Sequence, residues 1–207
     1  AGATIEAGFA ALDDGVAVHL GGGTHHAFKD QGQGYCIFND SAIAVRALQA
    51  ETRIERVLVL DCDVHQGNGT AALLQKDPNV FTFSIHGKNN FPFRKVNSDL
   101  DIALDDETDD QVYLDALEKG VRASLKQARA DAVIYLAGAD PLAEDRFGRL
   151  AVSKDGLAQR DRIVLQYCHN AGLPVAVTMA GGYAPNIGDT VDIHFQTVCI
   201  ATEFQKY

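Results

Sequence analysis

An apolar run, Val57-Leu58-Val59-Leu60, ends abruptly in Asp61, Asp63 and His65 at alternate positions. If the run is a buried strand, its side-chain period of two puts all three polar groups on one side of the carboxyl end, where open α/β sheets place their sites. Two carboxylates and an imidazole so close together repel or idle in a plain core, whereas around a divalent metal each has a use. On these residues alone a second role stays open: Asp61 and Asp63 capping the next helix, with His65 at the surface.

Short apolar runs alternate with amphipathic stretches along the rest of the chain. Strands are predicted over 16–20, 57–60, 80–85, 132–136 and 174–179, and helices over 3–13, 39–50, 69–75, 109–130, 154–171 and 185–201. Repeated strand and helix at these lengths implies an α/β fold of three layers, α/β/α, around a mostly parallel sheet. The stretch 87–108 mixes Asn, Pro and acidic residues and reads as a long loop.

The residues just past each strand matter most. The run 16–20 leads into Gly21-Gly22-Gly23-Thr24-His25-His26, 132–136 into Ala137-Gly138-Ala139-Asp140, and 174–179 into Ala180-Gly181-Gly182-Tyr183. Carboxyl ends of parallel strands share one edge, so these groups can converge on one pocket, and the glycines let backbone and ligand approach closely. A single metal held by Asp63, His65 and Asp140 is the natural assignment. One imidazole and two carboxylates suit Zn²⁺ with open positions for water and substrate, and Fe²⁺ or Mn²⁺ is also compatible with these ligand types. Asp140 has a second candidate role as a helix N-cap, because Pro141 comes directly after it.

Composition narrows the class. The 207 residues are 46% hydrophobic and 22% charged, enough for one domain with a full-sized core. A net charge of -10 without any Lys/Arg cluster argues against direct nucleic-acid binding. No apolar stretch reaches the length of a membrane span, so no membrane association is expected. Cys36, Cys62, Cys168 and Cys199 lack CxxC spacing, which suggests reduced thiols and a cytoplasmic location. Ala1 opens what reads as a helix and there is no initiator Met, so the chain is expected to start inside a larger parent.

Taken in order, GGGTHH, GYCIFND, DCDVHQGNG, LAGADPLAEDRFG and AGGY resemble the histone deacetylase superfamily of zinc amidohydrolases, with its arginase/deacetylase fold. DVHQGNG with Gln66, together with AGADPLAEDRFGRLAVS, is most similar to the class IV branch and its bacterial relatives. The motifs run from Gly21 to Tyr183, and their joint occurrence in this order is highly specific.

The resemblance implies one zinc on Asp63, His65 and Asp140, a tandem active-site pair in His25 and His26, and a carbonyl-polarising hydroxyl on Tyr183. It implies that Asp61 bonds His25 and that Asn68 stands behind His26, where many relatives carry Asp. A neutral amide stabilises imidazolium less than a carboxylate does, so His26 should be more readily neutral and fit to act as base. Gly34, Tyr35, Phe91, Phe147 and Gly182 would contact an acyl-lysine substrate, and a structural potassium ion would sit by Asp61, Asp63, His65, Ser84 and Ile85. The implied partner is an acylated lysine side chain of a protein or a small acylated amine such as an acetylpolyamine. Class IV likeness favours long fatty-acyl groups. His19, His86, His169 and His194 are given no role beyond packing or exposure.

Two rivals are weaker. A binuclear manganese hydrolase of the arginase type shares the fold but needs further carboxylates where Gly67 and Leu142 stand. A non-catalytic acyl-lysine binder is expected to have lost the tyrosine or a ligand, and every catalytic position here is filled. Family members carry further chain before the His-His segment, so the 207 residues read as one deacetylase-like catalytic domain shortened at its N-terminus.

Overall fold

The computed structural model describes residues 1–52 and 54–205. In chain order the elements are α1 (Gly2–Asp14), β1 (Val16–His19), α2 (Asp40–Glu51), β2 (Val57–Asp61), α3 (Asn68–Leu74), β3 (Val80–Gly87) and β4 (Leu100–Leu104). They continue with α4 (Asp110–Ala128), β5 (Ala132–Leu136), α5 (Lys154–Asn170), β6 (Val175–Thr178) and α6 (Ile187–Thr202).

The six strands lie in the order β1-β6-β5-β2-β3-β4, and every pairing between these strands is parallel. The sheet is therefore parallel throughout, not merely for the most part. β2 and β5 sit at its centre and are buried along their whole length, as expected of parallel strands covered on both faces.

Alternation along β2 sorts the core into two halves. Leu58 and Leu60 pack with Tyr113 and Leu117 of α4 and with Leu157 and Val164 of α5. Val57 and Val59 pack instead with Ala44 and Val45 of α2 and Leu74 of α3. Helices thus cover both faces, giving the three-layer α/β/α fold. No helix among the described residues is long and apolar enough to cross a membrane.

One expectation needs correcting. The stretch read as a loop contains β4, which extends β3 by pairing Phe83 with Leu100 through Gly87 with Leu104. Its sequence, Leu-Asp-Ile-Ala-Leu, is short and only partly buried at the sheet edge, so the strand exists through pairing more than through propensity. Gln66 also fixes this region. Its amide donates to Val96 O and Asp101 Oδ1, both at 2.8 Å, and accepts from Val96 N at 2.9 Å.

The connection from β2 leads to β3 on one side, while β5 lies on the other. That is a topological switch point, and a crevice opens there at the carboxyl ends. Asp61, Asp63 and His65 leave β2 at this place, and Asp140 leaves β5.

Candidate active site

The strand ends converge as the spacing predicted. Asp63, His65 and Asp140 each offer one donor atom, all within 4.8 Å of one another. Nδ1 of His65 faces Asp63 Oδ1 at 3.0 Å and Asp140 Oδ2 at 3.1 Å. Backbone donors fix the carboxylates: Gly181 N reaches Asp63 Oδ2 at 2.8 Å and Val64 N reaches Asp140 Oδ1 at 2.9 Å. Neither aspartate caps a helix. No helix succeeds Asp140 before α5 at Lys154, and α3, which begins at Asn68, has Gly67 in the cap position and no side-chain cap.

Both carboxylates are buried, so burial and the neighbouring Asp63 push Asp140 upward. Two buried carboxylates this close favour positive charge beside them: burial alone would lower the pKa of His65, but its bonds to them raise it to about 11. The glycine beside them supports the same reading. A Cβ on Gly181 would stand 2.3 Å from Asp140 Oδ2 and 2.7 Å from Asp63 Oδ2, so only glycine leaves the cradle open. The donor set fits a single divalent metal with open coordination positions.

The two histidines sit side by side, ring centroids 4.1 Å apart, yet their environments differ. His25 Nδ1 donates to Asp61 Oδ2 at 2.6 Å. Burial alone would lower its pKa, but the anions of Asp61 and Asp63 outweigh that and raise it to about 9. His26 Nδ1 donates to the neutral Asn68 Oδ1 at 2.8 Å. Burial and the charge on His25 lower it to about 3. One imidazole is held charged and its neighbour neutral, the separation expected of an acid–base pair.

Aromatic rings wall the space above them. Phe91 meets His26 edge-on at 4.9 Å, and Phe147 meets Tyr183 at 5.0 Å. Tyr183 is 42% exposed, and burial, then the nearby Tyr35, raises its pKa, so its hydroxyl keeps its proton. Gly34, Tyr35, Phe91, Phe147 and Tyr183 line one cavity of about 790 Å³ with both histidines and all three metal-ligand candidates. Gly182 is placed differently. It is Gly181 that lines the cavity, while a Cβ on Gly182 would meet Thr190 and Ala139 behind the wall.

Asp61 and Ser84 face each other in register between β2 and β3. Asp61 Oδ1 accepts from Asp63 N at 3.1 Å, and Ser84 Oγ lies 3.0 Å from His86 Nδ1. His86 is buried and Ile85 is fully enclosed in the core.

Two carboxylates that hold the site together were not singled out in the sequence. Asp145 accepts from Phe147 N at 2.8 Å, Gly148 N at 2.9 Å and Tyr183 N at 2.5 Å, and so ties Phe147 and Tyr183 to one loop. Asp40 accepts from Thr4 Oγ1, Gly23 N, Thr24 N and Thr24 Oγ1 at 2.6 to 3.0 Å, and so fixes the turn that delivers His25. Both lie inside the family motifs, but the partners that matter, Tyr183 N for Asp145 and Thr4, Gly23 and Thr24 for Asp40, are distant in sequence, which no local spacing reports.

Asp40 also carries a stability prediction. Burial would raise its pKa, but these hydrogen bonds lower it. A carboxylate held below its unfolded value contributes stability above that value and loses it as pH falls through the folded one. Asp40→Ala should cost about 3 kcal/mol at neutral pH. Urea melts should show the gap to wild type narrowing below about pH 4, and a gap unchanged by pH would count against this role.

Comparison with known proteins identifies the family. The histone deacetylase domain model matches residues 1–198. An uncharacterized protein of Picosynechococcus sp. is 48% identical over 193 residues, 93% of this chain and 64% of that protein. Histone deacetylase 2 of Arabidopsis thaliana is 32% identical over 187 residues, 88% of this chain and 48% of the other. The crystal structure of acetylpolyamine aminohydrolase from Burkholderia pseudomallei matches with a TM-score of 0.79 at 24% identity, over 96% of this chain and 60% of that one. At that identity the likeness speaks for the fold alone. The chain spans about half to two thirds of the length of these proteins. With nearly all of its residues covered by the domain model, this chain belongs to the histone deacetylase family.

Proposed function

We propose that the chain hydrolyses the amide bond of an N-acyl-lysine side chain, using one divalent metal, Zn²⁺ by preference, on Asp63, His65 and Asp140. The observation that carries this reading is the convergence, in one aromatic-walled cavity, of the metal-ligand triad, a charged and a neutral imidazole, and the Tyr183 hydroxyl. Bound there, a divalent metal would polarise the acyl carbonyl and bring the pKa of a water from about 16 to about 7.

The chain's own groups supply the rest. His26 has its Nδ1 proton engaged by Asn68, which leaves the Nε2 lone pair to take the proton of the attacking water. It then returns that proton to the departing lysine nitrogen as the C–N bond breaks, leaving carboxylate and free amine. His25, held charged by Asp61, and the Tyr183 hydroxyl stabilise the negative charge that develops on the carbonyl oxygen. Phe91, Phe147 and Tyr35 enclose the apolar stem of the lysine. A structural monovalent cation near Asp61 and Ser84 belongs to the same proposal, and Fe²⁺ in place of Zn²⁺ leaves these roles unchanged.

The test is turnover by the purified, zinc-loaded chain on acetyl-lysine peptide, myristoyl-lysine peptide and an acetylpolyamine, beside Tyr183→Phe. The expected result is release of free lysine amine, with kcat reduced roughly 10²-fold in the variant and KM little changed. Turnover confined to the acetylpolyamine would move the substrate to small acylated amines. No turnover above the variant on any of the three would contradict the hydrolase reading.

A further inference from the structure

The polar contacts behind His26 run one residue beyond its partner. Asn68 accepts from His26 Nδ1 through Oδ1 at 2.8 Å, and through Nδ2 it donates to Gln33 Oε1 at 2.6 Å. Asn68 is only 2% exposed, so these contacts replace water for its amide. An asparagine amide can sit either way round, and the two ways have opposite consequences for an imidazole. With the oxygen toward His26, the ring carries its proton on Nδ1 and presents a lone pair at Nε2. With the nitrogen toward His26, the proton is driven to Nε2 and no base faces the cavity. Asn68 is both donor and acceptor, so its orientation depends on the group at its far end, where Gln33 presents Oε1 at 2.6 Å.

We propose that Gln33 is a positioning residue that fixes the Asn68 amide and, through it, the His26 tautomer needed by a general base. The inference rests on the hydrolase reading for its kinetic consequence only. Gln33 is held for this task by its backbone. Gln33 N donates to Cys36 O at 3.0 Å and Cys36 N to Gln33 O at 2.8 Å, closing a tight turn over Gly34 and Tyr35 with φ of 53° and 63°. Two successive left-handed residues make the type I′ geometry, which fixes the direction of the flanking chain. A Cβ on Gly34 would stand 2.3 Å from His26 Cδ2, so the turn packs directly on the ring whose tautomer Gln33 sets. The same turn carries Gly34 and Tyr35 to the cavity wall.

Glutamate at position 33 accepts and cannot donate, so it should select the same Asn68 orientation, whereas leucine can select neither. In the zinc-loaded chain, Gln33→Leu should lower kcat roughly tenfold at unchanged KM, and Gln33→Glu should stay within about twofold of wild type. Imidazole ¹⁵N NMR of metal-free protein should place the His26 proton on Nδ1 in wild type and Gln33→Glu and show a tautomer mixture in Gln33→Leu. Wild-type kcat in Gln33→Leu, a Gln33→Glu slower than Gln33→Leu, or a wild-type proton on Nε2 would each overturn the assignment. If Gln33→Leu does not fold, Gln33→Glu decides it: retained rate and tautomer support the role, and a tenfold loss refutes it. An inactive wild type would count against the hydrolase reading, while the NMR result still decides the role of Gln33.

Discussion

His26→Ala should lower kcat on acyl-lysine peptide by about 10³-fold, near 4 kcal/mol of barrier, with KM within a few-fold of wild type. The size reflects two duties falling on one ring, since in the proposed mechanism His26 takes the proton of water and delivers it to a leaving amine too basic to depart without one. His25→Ala should cost less in the proton transfers, because His25 is kept charged by its 2.6 Å bond to Asp61 and is no base at neutral pH. Steady-state rates for both variants, with circular dichroism to show that the fold survives, would check this. Equal losses in the two would contradict the division of labour, and a larger loss in His25→Ala would reverse it.

Asp140→Asn should weaken metal binding at least about a hundredfold while costing the metal-free protein little stability. The amide keeps the shape and can still accept from Val64 N, the contact now made at 2.9 Å. It removes a buried negative charge from beside Asp63, where burial and that neighbour already disfavour ionisation. A metal stabilises the folded protein only by binding it. Zinc should therefore raise the melting temperature of wild type and leave the variant almost unmoved, with both melting alike in chelator. A variant that melts much lower in chelator would show that Asp140 serves the fold before the metal.

Much of this site was legible in the sequence because its chemistry coincides with strand ends. β2 and β5 are fully buried, and apolar except for Tyr135 and for Asp61 at the end of β2, so the polar residues at and just beyond their ends stand out. Alternation after Leu60 put Asp61, Asp63 and His65 at one edge, and the structure brings Asp63 and His65 to Asp140. β4 was not legible, because an edge strand of mixed character takes its conformation from the register of β3. Asp40, Asp145 and Gln33 escaped notice for another reason. Each acts on a group made adjacent only by folding: the turn before His25, the backbone of Tyr183, the amide of Asn68. Residue type and spacing announce the groups that meet substrate; those that aim them are read from coordinates. Gly182 shows the converse, since its place in the AGGY motif suggested a contact that the geometry gives to Gly181.

The most direct test of a single-metal hydrolase is a titration of metal-stripped protein with Zn²⁺, tracking bound metal and acyl-lysine turnover in the same samples. Turnover should rise in proportion to bound metal and reach its plateau at one ion per chain. A plateau at two ions per chain, or turnover independent of bound metal, would contradict the account.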